Sequence, residues 1–503
     1  MTTVETPLGT VQGMERRGSH IFLGIRYAQP PVGDLRFRPP VAVSRWAGAY
    51  DATQFGASAP QPPPAADGPM AGPPEPTDED CLFLNVFTPS PDGGRRPVLF
   101  WIHGGGYVSG SGRAYNGSVF VREHDVVVVT INYRMGPLGF MHVGHLEDGL
   151  DESVNTGILD QICALEWTRD NIAAFGGDPD NVTIFGESAG GTSTAMLVGS
   201  PRAEGLFHKA IVHSPHVDLI PVGQGHIDFT NRCIERLGGD PASNGMDTLR
   251  GASLEALQAL YGPDPDKPGA PGLALRKPED VGFSPAIDGG LIPRPVAETV
   301  RQRGAAGVPM MGGGCRHEGT LFAQIVGTAD YSEDEAIALI EREGFDGRAL
   351  LDVYEGFSPG ASPREKLVYA LTDTMFRNSM VRILDAAAEA GSPVWSWMCT
   401  WESDAFGGHL RATHAMELPF LWNWGDGKGG FSPMAGSGAP RDSLGTAMRA
   451  WWATFARDGR PSAPSAPDWP AYSTGDRQVM LLDAECRVEA GLDDAVRQYW
   501  FGN

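Results

Sequence analysis

The chain has 503 residues, 41% of them hydrophobic, with 66 glycines, 41 prolines and a formal net charge of -23 at pH 7. That acidity argues against nucleic acid or an anionic membrane as a partner, since both repel a polyanion. No run approaches the roughly 18 apolar residues of a membrane span, and Met1 to Thr6 carries neither the basic segment nor the apolar core of a secretory signal.

The first elements are strands. Val4 to Gly13 reads as a hairpin turning at Leu8-Gly9, and Ile21 to Tyr27 as the next strand. Tyr27 to Pro40 is too rich in proline for a helix and is expected to run as a fixed surface path. Gln54 to Asp78 holds eight prolines and reads as a mobile loop. Strands follow at Glu79 to Phe87, Pro97 to Ile102 and Val126 to Asn132, the last apolar enough to be buried on both faces. Asn155 to Phe175 contains a helix with Ile158, Leu159, Ile162, Leu165 and Trp167 on its apolar side.

Strands are next expected at Val182 to Phe185, Leu206 to Val212, Val308 to Gly314, Val394 to Thr400 and finally Val479 to Asp483. Helices are expected at Phe229 to Leu237, Leu254 to Leu260, Glu333 to Glu343, Arg364 to Glu389 and around Met448 to Arg457, with a Pro/Gly loop at Gly262 to Pro278. Buried strands alternating with helices predict an α/β fold, a mostly parallel sheet covered on both faces. No internal repeat and no inter-domain linker is visible, so residues 1–503 read as one domain. The cysteines, Cys81, Cys163, Cys233, Cys315, Cys399 and Cys486, are scattered without a C-x-x-C pair. They read as reduced thiols of a cytoplasmic protein.

The chemistry concentrates in Asn181 to Gly191, NVTIFGESAGG. A short buried strand runs into Gly186-Glu187-Ser188-Ala189-Gly190, which fits G-x-S-x-G. A strand that reverses sharply into a helix strains its middle residue, and neighbours without side chains permit the close packing this needs. Ser188 is thereby expected at the tip of the turn, facing a helix N-terminus, in the nucleophile elbow of an α/β-hydrolase. By itself the pattern also fits an ordinary Gly/Ser turn. His103-Gly104-Gly105-Gly106 follows the Pro97 strand and suits an oxyanion loop, with the amides of Gly105, Gly106 and Ala189 as donors and the His103 ring as a brace. The base is expected on a late loop, where His409 and His414 both stand. Glu318 is the candidate acid and Asp288 its rival. His142 and His145 lack a third ligand at metal-site spacing and read as loop, so no metal and no cofactor is expected.

These blocks together resemble the type-B carboxylesterases, the carboxylesterase/cholinesterase family of α/β-hydrolases, and most of all its bacterial p-nitrobenzyl-esterase-like members. Phe175-Gly176-Gly177 through Gly190 meets the family's elbow signature, and Glu79 to Asn85 its E-D-C-L-x-L-N block, with Phe83 in place of the usual Tyr or Thr. Tyr27 to Phe37 and Trp452 to Pro461 are similar to further family blocks.

The resemblance implies Ser188 as nucleophile, Glu318 as acid and His414 as base. It also implies ion pairs Arg36 with Glu79 and Arg134 with Asp160, and Glu187 as a buried carboxylate beside the nucleophile. Tyr107, Glu187 and Phe322 are the expected substrate contacts, and a monomer or weak homo-oligomer is expected. Three departures stand out. Ala59 replaces the cysteine that often pairs with the one at Cys81, Cys315-Arg316-His317-Glu318-Gly319 replaces N-x-D-E-G, and His213-Ser214-Pro215 replaces Q-S-G. The implied reaction is hydrolysis of neutral small-molecule esters, with a carbamate, activated amide or thioester as alternative. A catalytically dead adhesion module of the kind known in this family would lack the serine and carry a membrane stalk.

In cholinesterases a tryptophan from the loop closed by that cysteine faces the quaternary ammonium. Here Ala59 to Glu79 contains no aromatic residue, so a cation–π contact of about 0.5–2 kcal/mol is missing. Trp395, Trp397, Trp401, Trp422 and Trp424 are near enough in sequence to His414 to substitute, but read mainly as packing. The acidic surface concentrates cations only at the encounter step, an effect screened by salt. Butyrylthiocholine is therefore expected to give no higher kcat/KM than an uncharged thioester of similar size and reactivity at physiological salt. A clear preference for the choline ester would refute this reading.

Overall fold

In the computed structural model, residues 1–64, 74–219, 221–261, 281–303, 307–326, 331–424, 432–464, 466–492 and 494–502 are described. The proline-rich centre of the Gln54 loop and the Gly262 to Pro278 loop lie outside them.

Among the described residues, thirteen strands form one sheet. They are β1 (Thr2–Thr6), β2 (Gly9–Arg16), β3 (Ser19–Arg26), β4 (Ala49–Asp51), β5 (Phe83–Thr88), β6 (Arg96–Ile102), β7 (Val127–Ile131), β8 (Gly177–Glu187), β9 (Lys209–His213), β10 (Met310–Cys315), β11 (Val394–Cys399), β12 (Gln478–Leu482) and β13 (Arg487–Ala490). The order is β1-β2-β3-β5-β7-β6-β8-β9-β10-β11-β12-β13, with β4 beside β2. Pairing is parallel from β7 through β12 and antiparallel at both ends of that run.

Side chains alternate between two cores. On β6, Val98, Phe100 and Ile102 join Ile158, Leu159 and Leu165 of the helix Thr156–Asn171 on one face. Leu99 and Trp101 join Trp451, Trp452 and Phe455 of the helix Ala439–Asp458 on the other. Period-two alternation between two apolar layers is why these strands read as continuous hydrophobic runs.

Several boundaries differ from the sequence reading. β5 begins at Phe83, because Glu79 and Asp80 are engaged by Arg36 and Arg26 before the ladder starts. β9 begins only at Lys209. The long helix expected from Arg364 is divided into Pro363–Thr372 and Asn378–Glu389 by a π-helical turn, Asp373–Arg377. Buried Asp373 anchors that turn, accepting from Tyr354 Oη at 2.7 Å and Trp500 Nε1 at 3.0 Å, and pairing with Arg377 at 2.8 Å. The wider turn changes which side chains face the sheet, as π-turns near functional sites often do. Val479 does not begin the last element, since β13 and the helix Asp494–Phe501 follow. The helices Val296–Arg303 and Gly347–Phe357 also went unrecognised, being short and only partly apolar.

Both implied ion pairs are present. Arg36 meets Glu79 through two bonds of 2.6 and 2.7 Å, and Arg134 meets Asp160 at 2.6 and 2.8 Å. Arg134 and Asp160 are almost fully buried, and the Arg134 backbone amide also donates to Asp160. Removing one partner of such a pair leaves an uncompensated charge in the interior. Arg134→Met is therefore expected to cost about 3–5 kcal/mol, read from denaturant midpoints. Arg134→Met combined with Asp160→Leu should cost less than the single change, and a single change worth under about 1 kcal/mol would overturn this reading.

Candidate active site

The elbow is built from close backbone contacts. Ser188 has φ +56° and ψ -121°, outside the regions that L-residues favour, and caps the helix Ala189–Gly199. Its amide donates to His213 O at 3.0 Å. A Cβ on Gly190 would lie 2.0 Å from Ile102 O, and one on Gly191 2.0 Å from His213 O. Only glycine lets this helix start so close to β6 and β9.

The glycine loop after β6 lies against the elbow. A Cβ on Gly104 would meet Glu187 O at 2.6 Å and Ser188 Cβ at 3.0 Å. Gly105 and Gly106 have φ of +106° and +63°, and among the described residues their amides have no protein acceptor. The His103 ring stacks on Tyr133 at 4.4 Å and sits 2.8 Å from Gly104 O through Nδ1. Burial lowers its pKa to about 4, so it is a neutral brace, as expected. Tyr107 is buried, and its hydroxyl donates to Ala189 O at 2.8 Å, tying the loop to the elbow helix.

His414 and Glu318 meet at 2.5 Å through Nδ1 and Oε2. The other Glu318 oxygen accepts from Ser214 Oγ at 2.6 Å and from the Cys315 amide at 2.5 Å. Ser214, the serine retained where His213 and Pro215 replace the flanking residues of Q-S-G, is a contact that sequence reasoning missed. The rivals are not at this site. Asp288 accepts from Asn155 Nδ2 at 2.8 Å and from the amides of Gly290 and Ile292 in its own turn. His409 lies at the end of a short turn and is not buried.

Among the described residues Ser188 Oγ makes no hydrogen bond to His414 Nε2. That nitrogen lies 3.0 Å from Glu187 Oε1, an ion-pair distance without hydrogen-bond alignment. Burial pushes the Glu187 carboxyl above the ordinary carboxylate range. Burial also disfavours the His414 imidazolium, but Glu187 and Glu318 outweigh it and raise His414 above 6.5. The two groups are coupled, because the part of the His414 rise that comes from Glu187 requires Glu187 to be ionised. Two aromatic rings hold the imidazole: Phe376 from the π-turn stacks at 4.4 Å and 25°, and Phe322 lies tilted at 5.3 Å. Phe376 was not legible as a site residue, since only the π-turn aims it here.

Trp395, Trp397 and Trp422 are buried in the second core, with Trp401 and Trp424 packed against it. Among the described residues no group of three His, Cys, Asp or Glu side chains could hold a metal ion. Among them too, no helix is long and apolar enough to cross a membrane. Cys81, Cys163, Cys315, Cys399 and Cys486 are free thiols.

The carboxylesterase family model matches residues 1–500. The para-nitrobenzyl esterase of Bacillus subtilis is 33% identical, the match covering 99% of this chain and 98% of that protein. The phenmedipham hydrolase of Pseudarthrobacter oxydans is also 33% identical, over 95% of this chain and 94% of its own. Among solved structures, the carboxylesterase EST55 of Geobacillus stearothermophilus matches with a TM-score of 0.86 at 33% identity, covering 99% of this chain and all of that one.

Proposed function

This chain belongs to the carboxylesterase family and is a serine carboxylic-ester hydrolase, and from that premise we propose that Ser188 is its nucleophile, His414 its base and Glu318 its acid. The observation that carries the assignment is the 2.5 Å bond between Glu318 and His414, on the same sheet edge as the strained Ser188. We propose residues 1–503 as one catalytic domain in the cytoplasm, a location supported by the free thiols of Cys81, Cys163, Cys315, Cys399 and Cys486.

Ser188 Oγ attacks the ester carbonyl while its proton passes to His414 Nε2. Hydrogen bonds of this kind are often absent without substrate and form in the Michaelis complex. The amides of Gly105, Gly106 and Ala189 receive the oxyanion, each worth roughly 3 kcal/mol. His414 then protonates the leaving alcohol, and water repeats the sequence on the acyl-enzyme. Glu318 holds the imidazole as its Nδ1–H tautomer and stabilises the imidazolium. Phe322 lines the site beside His414, Tyr107 shapes it from behind the glycine loop, and Glu187 sets the charge of the base. Neutral small-molecule esters suit a base ringed by carboxylates and phenyl groups.

Ser188→Ala is expected to keep the melting temperature within a few degrees and to retain less than about a thousandth of wild-type turnover on a p-nitrophenyl ester. A folded variant with more than that would remove Ser188 from the role.

The pH dependence follows from the sign of the His414 shift. The base must be neutral to act, and carboxylates that favour its imidazolium move the required deprotonation above the ordinary value. The acid limb of kcat/KM should therefore have its midpoint on the alkaline side of 6.5, the ordinary histidine value. Glu187→Gln should bring that midpoint down. A midpoint below 6, or one that Glu187→Gln leaves in place, would contradict the pairing.

A further inference from the structure

Two of the three departures from the family pattern, at His213 and Cys315, meet on one buried carboxylate. Glu417 lies three residues beyond His414 and is fully buried. His213 Nδ1 is 3.0 Å from Glu417 Oε1, and Cys315 Sγ donates to Oε2 at 3.2 Å. On the far side of the ring, Trp452 Nε1 donates to His213 Nε2 at 3.1 Å.

An indole N–H can only donate. Nε2 must therefore be the bare nitrogen of His213, and the proton resides on Nδ1, where it is given to Glu417. Protonating His213 would set Nε2–H against the indole N–H, donor to donor. The ring is thus locked neutral and cannot cancel the charge of Glu417 as an imidazolium would. Among the described residues, a proton on Glu417 would find only the Cys315 sulfur as acceptor, a weak one. Glu417 is therefore a carboxylate with both oxygens accepting, and its pKa is lowered: burial pushes it up, but the hydrogen bonds it accepts, that from His213 first, pull it further down.

His213 also touches the rest of the proposed machinery. Its carbonyl accepts the Ser188 amide at 3.0 Å, and the next residue, Ser214, donates to Glu318 at 2.6 Å. The groups facing Glu417 are His213 from β9, Cys315 from β10, and Glu187 with the Tyr115 hydroxyl across the site. Those facing His414 are Glu187, Glu318 and Glu417.

We propose that His213 is a positioning residue that Trp452 locks as the neutral Nδ1–H tautomer, so that Glu417 keeps a full negative charge behind His414 and supports the imidazolium formed during turnover. The proposal rests on the reading of His414 as the base.

The direct test is 15N-histidine NMR of the whole protein, with the His213 signal assigned by its loss in His213→Gln. A signal with the proton on Nδ1 and a bare Nε2 is expected. A proton on Nε2 overturns the lock. In Trp452→Phe, which removes the donor and keeps an aromatic ring, the signal should no longer be confined to the Nδ1–H tautomer.

Kinetics tests the consequence. Without the His213 donor, burial protonates Glu417. His213→Leu should therefore lower plateau kcat about tenfold with KM changed less than about threefold, and move the acid limb of kcat/KM down by at least half a pH unit. His213→Gln, whose amide can donate to Glu417 and accept from Trp452, should recover most of both. Equal losses in the two variants, or an acid limb unmoved in His213→Leu, overturn the proposal. His414→Gln separates the two readings. If it stays active, His414 is not the base. If it is dead while His213→Leu matches wild type, the base stands and the role of His213 falls.

Discussion

The site depends on how closely one turn of backbone approaches its neighbours. The helix after Ser188 starts almost in contact with the carbonyls of Ile102 on β6 and His213 on β9, and a single methyl at Gly190 or Gly191 would collide with them. That approach forces Ser188 to a positive φ. A conformation of this kind costs on the order of 1–3 kcal/mol and persists only where the surroundings over-determine it. Here the surroundings are a run of parallel strands apolar on both faces, packed between two cores. The glycine loop at Gly104 is part of the same constraint, because it can rest on Glu187 and Ser188 only without a side chain.

Charge is the second organising feature. Three carboxylates, Glu187, Glu318 and Glu417, act on one buried imidazole. Each is held differently. Glu318 has two fixed donors on one oxygen and His414 on the other. Glu417 has a histidine and a thiol. Among the described residues Glu187 has only His414 within ion-pair distance, and burial favours its neutral form. Groups whose surroundings push their pKa values apart are what acid–base chemistry at a single pH requires. The aromatic stack of Phe376 and Phe322 keeps the imidazole in one orientation while that charge changes.

Much of this was legible before any coordinates. The elbow, the glycine loop and the alternation of strands and helices are local patterns, and each is governed by a local cause: glycine's freedom, or the period of apolar residues. Arg36 with Glu79 and Arg134 with Asp160 could be named only through the family resemblance, since nothing in the spacing of 43 or 26 residues implies contact. The helix from Arg364 was read as continuous because its apolar period continues through Asp373–Arg377, and the π-turn comes from Asp373's partners Tyr354 and Trp500, distant in sequence.

By itself, then, the sequence determined the fold class, the position of the strained serine and the glycine-rich donors facing it, because these follow from backbone sterics within a few residues. It left Asp288 and Glu318 open as acids, and His409 and His414 as bases, until the resemblance ranked them. Tertiary structure decided that Glu318 and His414 lie 2.5 Å apart while Asp288 is engaged with Asn155. It also decided that His213, Cys315 and Glu417 form one cluster and that Phe376 stacks on His414. The physical reason is that hydrogen bonds and burial join residues from the ends of different strands. Those ends become neighbours only when the parallel sheet assembles.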